Sequence, residues 1–173
     1  MKKILGGLII TAVAVLIFSC KDDNSLEKLR KNELALLDEF ISENYAGKEP
    51  KPSGLYYFEE FQGYGDSLIQ PGDRVQIFYA TWTVDSVLID ESDYPTGYTK
   101  GYRFEPLEFT VGAGQVITGL DEAATYMRPG TIANLVIPSE LAYGQNGSTG
   151  NLYIPGFTTL LMQIEVYKIF RPE

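Results

Sequence analysis

Residues 111–123 read VGAGQVITGLDEA, with glycines at 112, 114 and 119 between a β-type run, LEFT, and a helix-type run. Glycines in such a setting can wrap a phosphate, because free backbone N–H groups at a helix start favour an anion. The spacing argues against it. A dinucleotide fingerprint requires its third glycine at 117, where this chain has Ile, and a Walker loop ends in Gly-Lys-Ser/Thr, whereas Gly119 precedes Leu120. Both loops also belong to parallel βαβ units. The apolar residues are more informative. Val116, Ile117 and Leu120 fall where strand turns into helix, and they form either ordinary core or an apolar platform at the mouth of a sheet.

The rest of the chain restricts the chemistry further. It contains no histidine, which removes Ser-His-Asp and Cys-His nucleophile systems and His-ligated metals together. A single cysteine, Cys20, leaves no internal disulfide, zinc ribbon or iron–sulfur cluster. Net charge is −9 with no basic patch, so nucleic acid is excluded as a partner by repulsion from its phosphates. Carboxylates, tyrosines, lysines and apolar binding remain, with no metal and no cofactor expected.

The elements that must hold these groups are mostly strands. LYYFEEF (55–61), DRVQIFYATWTV (73–84), YRFEPLEFTV (102–111), TIANLVIP (131–138) and TLLMQIEVYKIF (159–170) alternate or are rich in β-branched and aromatic residues. GLDEAATYM (119–127) is the one helix among them. Thr118 is placed to cap it, Asp121 and Glu122 sit in its first turn, and Arg-Pro-Gly at 128–130 ends it. One short helix among about five strands predicts an α+β domain, an antiparallel sheet wrapped around the helix. Upstream, residues 24–45 predict an amphipathic helix of about five turns, with Leu26, Leu29, Leu36, Leu37, Phe40 and Ile41 mostly on one face. Asn24 and Glu27 form a capping-box-like start. That stripe packs on the following domain, spaces it from its surroundings, or pairs two chains as a homodimer. AGKEPKPSG (46–54) breaks the helix and marks the domain boundary.

Residues 1–19, MKKILGGLIITAVAVLIFS, have the layout of a secretory signal peptide, a basic start followed by an apolar run. A retained membrane helix is the alternative. IFSC (17–20) resembles a bacterial lipoprotein box, which implies that Cys20 is lipidated and becomes the mature N-terminus. Phe18 is larger than the residue usual in such a box. The following KDDN (21–24) is similar to a surface-export signal of Bacteroidota lipoproteins, or is a plain solvated tether. The expected organisation is thus 1–19 signal peptide, 20–53 lipidated tether, helix and linker, and 54–173 globular domain. The location implied is the cell envelope, lipid-anchored to the outer membrane and facing either the periplasm or the surface.

Residues 107–144, LEFTVGAGQVITGLDEAATYMRPGTIANLVIPSELAYG, resemble the central signature of FKBP-type peptidyl-prolyl cis-trans isomerases. The shared pattern is a strand ending in Val-Gly, then Gln-Val-Ile-x-Gly-Leu, an acidic helix start, Met-x-x-Gly, a strand ending in Ile-Pro, and Ala-Tyr-Gly. GDRVQIFYATW (72–82), LIDES (88–92) and YIPGFTTLLMQIEVYKI (153–169) match further blocks in order, so the likeness spans residues 54–170. It implies rotation about X-Pro bonds of proline-containing polypeptides, without nucleophile, metal or cofactor.

Carried over residue by residue, the resemblance implies Tyr79, Asp90 and Tyr143 as the catalytic polar groups. Ile89, Leu107, Val116, Ile117, Leu120, Ile154 and Met162 form the substrate pocket, with Val116, Ile117 and Leu120 as the floor under the proline ring. The Tyr143 hydroxyl and the Ile117 N–H are implied donors to substrate carbonyls. Asp90 is implied to orient the site through the Tyr79 hydroxyl; a buried Tyr79–Asp90 pair without a catalytic role is the alternative. Ile89, Leu107, Leu120 and Met162 stand where well-known members often have aromatics, which implies weaker macrolide binding, and the departures at 89, 107 and 162 leave a non-catalytic peptide- or partner-binding module as the rival reading. The long stretch 90–107 places Tyr94, Tyr98 and Tyr102 over the site or along a sheet edge, and 144–156 is an extended glycine-rich loop.

Overall fold

The computed structural model describes residues 23–92, 105–150 and 153–172. The expectations for the signal peptide, Cys20, the Asn24 cap, and Tyr94, Tyr98 and Tyr102 lie outside the described residues or side chains. Helix α1 spans Asp23–Asn44, followed by strands β1 (Tyr56–Phe61), β2 (Arg74–Thr83), β3 (Leu88–Glu91) and β4 (Leu107–Thr110). Helix α2 (Thr118–Ala124) precedes β5 (Ile132–Ile137), β6 (Ser148–Thr149), β7 (Tyr153–Ile154) and β8 (Leu160–Phe170). The expected α+β architecture is present: an antiparallel sheet ordered β1-β5-β8-β2-β3, with β4 also on β2, and α2 against it. Two features are additional to the expectation. LIDE is a strand, and the glycine-rich 144–156 stretch includes the small β6–β7 ladder.

Strand alternation gives the sheet two apolar faces. Val75 and Ile77 of β2, Leu135 and Ile137 of β5, and Leu160, Ile164 and Val166 of β8 all turn toward Leu120, Ala123 and Met127. Each large side chain buried there contributes about 1.5–3 kcal/mol. Along the other edge of β2 the partner changes midway. β4 pairs Arg74 to Ile77, and β3 pairs Ala80 to Trp82, so Tyr79 sits at the hand-over.

The opposite face carries α1. Leu37 and Ile41 pack on Val136, with Phe58, Tyr56 and Leu161 around them, and Tyr45 stacks on Phe58 at 3.7 Å. The helix thus packs on the domain through Leu37, Phe40 and Ile41 of the expected stripe, while the rest of that stripe stays out of the contact. Leu26, Leu29 and Leu36 are exposed, whereas Glu33 is 3% exposed. The Glu33 carboxylate accepts the Ser139 N–H at 2.7 Å, the Ser139 hydroxyl at 2.8 Å, the Thr159 hydroxyl at 3.1 Å and the Arg30 guanidinium at 2.6 Å. Burial alone would raise this carboxyl, but the hydrogen bonds from Ser139 and Arg30 outweigh it and hold Glu33 below its ordinary value. An apolar pattern finds Leu37, Phe40 and Ile41 but not Glu33, because Glu33 is a satisfied buried charge.

Candidate active site

The glycine-rich turn is built to lift its apolar residues. Gly112 and Gly114 take positive φ of 80° and 64°, which reverses the chain after β4 at no steric cost. The Gln115 side chain accepts the Thr110 N–H at 2.7 Å, and Asp121 accepts the Gly112 N–H at 2.8 Å. Asp121 therefore pins the turn as well as facing the positive helix end. Gly119 has a steric role: a Cβ there would lie 2.5 Å from Ile137 Cγ2, so its absence lets α2 press onto the sheet. The expected Thr118 cap is not formed. Ile117 is the cap residue, with no side-chain bond, and its carbonyl accepts the Leu120 and Asp121 N–H groups. Thr118 already lies in the first helical turn, so its hydroxyl is not the helix's cap.

A cavity of about 190 Å³ opens above this turn. Tyr79 comes from β2, Ile89 and Asp90 from β3, and Leu107 from β4. Val116 and Ile117 come from the turn and Leu120 from α2. Tyr143 enters between two 3-10 turns after β5, Ile154 from β7, and Met162 from β8. All ten residues singled out in the sequence line this one cavity. Thr81, Gln115 and Leu160 line it too and were not anticipated. Alternation along β2 from Tyr79 and along β8 from Met162 is the signal that would have found Thr81 and Leu160.

The polar groups are few. The Tyr79 hydroxyl donates to Asp90 at 2.6 Å, and the Tyr79 N–H donates to the Ser92 hydroxyl at 2.8 Å. Burial pushes the Tyr79 phenol well up, and the neighbouring Asp90 carboxylate pushes it further, so it stays protonated. Asp90 also accepts the Glu91 N–H at 3.0 Å. Among the described residues, neither the Tyr143 hydroxyl nor the Ile117 N–H has a hydrogen-bond partner. The Thr81 hydroxyl is buried and likewise unpartnered.

An antiparallel sheet around one helix, with a small, largely apolar cavity that holds unpartnered donors, is an arrangement that can take an apolar ring flanked by carbonyls. The chain belongs to the FKBP-type peptidyl-prolyl cis-trans isomerase family, whose sequence model matches residues 65–167. It is 32% identical over 117 residues to an FK506-binding protein of Neisseria meningitidis serogroup B, covering 68% of this chain and 97% of that one. A peptidyl-prolyl cis-trans isomerase from Pseudomonas syringae pv. tomato superposes with a TM-score of 0.66 at 27% identity, covering 84% of this chain and 96% of the other. FkpA from Escherichia coli gives 0.65 at 28% identity, covering 86% and 64%. The reaction is accordingly cis–trans isomerisation of X-Pro peptide bonds.

Proposed function

We propose that the protein is an envelope prolyl isomerase, lipid-anchored through Cys20, that acts on exported polypeptides by binding the twisted amide in this cavity. The uncatalysed barrier is ~20 kcal/mol because twisting sacrifices amide resonance. The twisted amide is less charge-separated than the planar one, so an apolar, water-poor cavity favours it. In this reading the proline ring rests on Val116, Ile117 and Leu120, walled by Ile89, Leu107, Ile154 and Met162. The Tyr143 hydroxyl and the Ile117 N–H hold the carbonyls on either side of the twisting bond. Asp90 orients the Tyr79 phenol and takes no proton from substrate. The observation that carries the reading is the pair of unpartnered donors, Tyr143 hydroxyl and Ile117 N–H, in a largely apolar cavity. Helix α1 acts as the spacer between anchor and domain, and its exposed Leu26 and Leu29 are the surface on which a homodimer would form.

The test is protease-free NMR exchange on an X-Pro peptide. Enhanced cis–trans exchange at micromolar protein is expected, and exchange at the background rate would overturn the catalytic reading. Mass spectrometry of the membrane-extracted protein tests the anchor: an unmodified Cys20 or an intact 1–19 segment refutes it.

A further inference from the structure

A second cavity, about 710 Å³, lies between α1, the β2–β3 turn and the chain from β7 into β8. It is several times larger than the proline cavity and falls within the usual range for ligand sites of about 300–1,000 Å³. Its lining is largely apolar, including Leu36, Val87, Leu88, Tyr153, Pro155 and Phe157. Val87, Leu88 and Tyr153 are 56%, 48% and 77% exposed, an apolar cluster left open to water.

The walls are set rather than loose. The Thr83 N–H donates to the Val87 carbonyl at 3.0 Å, and the Thr83 hydroxyl bonds Asp85, which fixes the turn beneath Val87. Phe157 holds a positive φ of 57°, unfavourable for a bulky side chain, and its N–H bonds the Gly144 carbonyl at 2.9 Å. The strained residue is one that lines the groove.

This groove adjoins the proline cavity. Ile89 lines both, and two neighbouring pairs are split between them: Tyr153 and Thr159 line the groove, Ile154 and Leu160 the cavity. A chain whose proline occupies the cavity and which passes over Ile89 enters the groove. The charged lining residues are Glu33 and Asp85, both acidic, and Glu33 is already satisfied by its four donors. Acidic segments are therefore disfavoured there. We propose that the groove is a second binding site for the same substrate chain, taking large apolar, non-acidic side chains of an unfolded polypeptide beside its X-Pro bond. This rests on the isomerase reading of the adjoining cavity and adds to it a preference for extended, apolar clients.

The test uses the folded protein and three peptides. The first is an X-Pro tetrapeptide. The second is a longer X-Pro peptide with one phenylalanine walked outward from the proline, about one to eight residues on each side, to cover an extended chain. The third is the best long peptide with its proline replaced by alanine. The expected result is kcat/KM about tenfold higher for one phenylalanine register, as one buried aromatic side chain supplies. Val87→Asp and Leu88→Asp should erase that gain and leave tetrapeptide exchange within about twofold, since neither residue lines the proline cavity. The alanine peptide should still shift the amide resonances of Val87 and Leu88. If tetrapeptide exchange is absent but those shifts persist, the isomerase reading fails and the groove stands. Equal rates for short and long peptides, equal losses on both in the variants, or shifts that follow protein concentration alone and so reveal a second copy in the groove, each overturn the proposal.

Discussion

Replacing Glu33 by alanine tests whether a buried carboxylate docks α1. The substitution removes the acceptor of the Ser139 N–H, two hydroxyls and the Arg30 guanidinium. The hydroxyls can turn elsewhere, and Arg30 keeps Glu140 at 2.8 Å, but the Ser139 N–H is held by its backbone. An unsatisfied buried donor costs about 1–3 kcal/mol, and breaking a buried ion pair about 3–5 kcal/mol. Arg30 is 24% exposed, so the lower end applies, and about 3 kcal/mol is expected. For a chain of this size that is a fall in Tm of roughly 6–12 °C. The pH dependence supplies an independent check. The folded carboxyl lies below its ordinary 4.5, so the native state binds fewer protons than the unfolded one. Its stabilisation is fully present above about 4.5 and is lost as pH falls through the lower folded value. Urea unfolding between neutral and acid pH should show that slope in the parent and a shallower one in Glu33→Ala. Hydrogen exchange should place the loss on α1 and the loop leading from Ser139 to Tyr143. A loss below about 1 kcal/mol, or an unchanged acid slope, would refute the reasoning.

Three further substitutions bear on the cavity. Tyr143→Phe should lower kcat/KM about fivefold, one net hydrogen bond, in the NMR exchange assay. Its Tm should hold, because the hydroxyl has no partner among the described residues. Asp90→Ala strands the half-buried Tyr79 hydroxyl and should cost about 1 kcal/mol in urea unfolding together with activity. Asp90→Asn keeps an acceptor and should cost less on both measures. Thr81→Val replaces an unpartnered buried hydroxyl by a methyl and should raise stability by about 1 kcal/mol, read as a higher urea midpoint at constant slope.

Much of this protein is legible in its sequence because its signals are local. Alternation in DRVQIFYATWTV and TLLMQIEVYKIF fits the long central strands β2 and β8. The wrong glycine spacing at 112, 114 and 119 is enough to argue against a phosphate loop. The order of short motifs reaches far enough to name the residues that meet in the cavity. Other features depend on contacts between distant segments. LIDE is too short to register as a strand by period, and it becomes one by adding to the edge of β2. The Thr118 cap fails because the turn stays extended through Ile117 before the helix begins. The docking stripe of α1 includes Glu33, which a hydrophobicity pattern assigns to solvent; the Ser139 and Thr159 donors, more than a hundred residues away, join Arg30 to make its burial tolerable. The large groove likewise exists only where α1, the β2–β3 turn and the β7–β8 chain come together. The sequence by itself determined the long strands, the short helix and the apolar character of most site residues, since these follow from residue type and period. Which face each helix covers, which charge is buried and where the second cavity opens were decided by tertiary structure, because burial is set by partners that no local window contains.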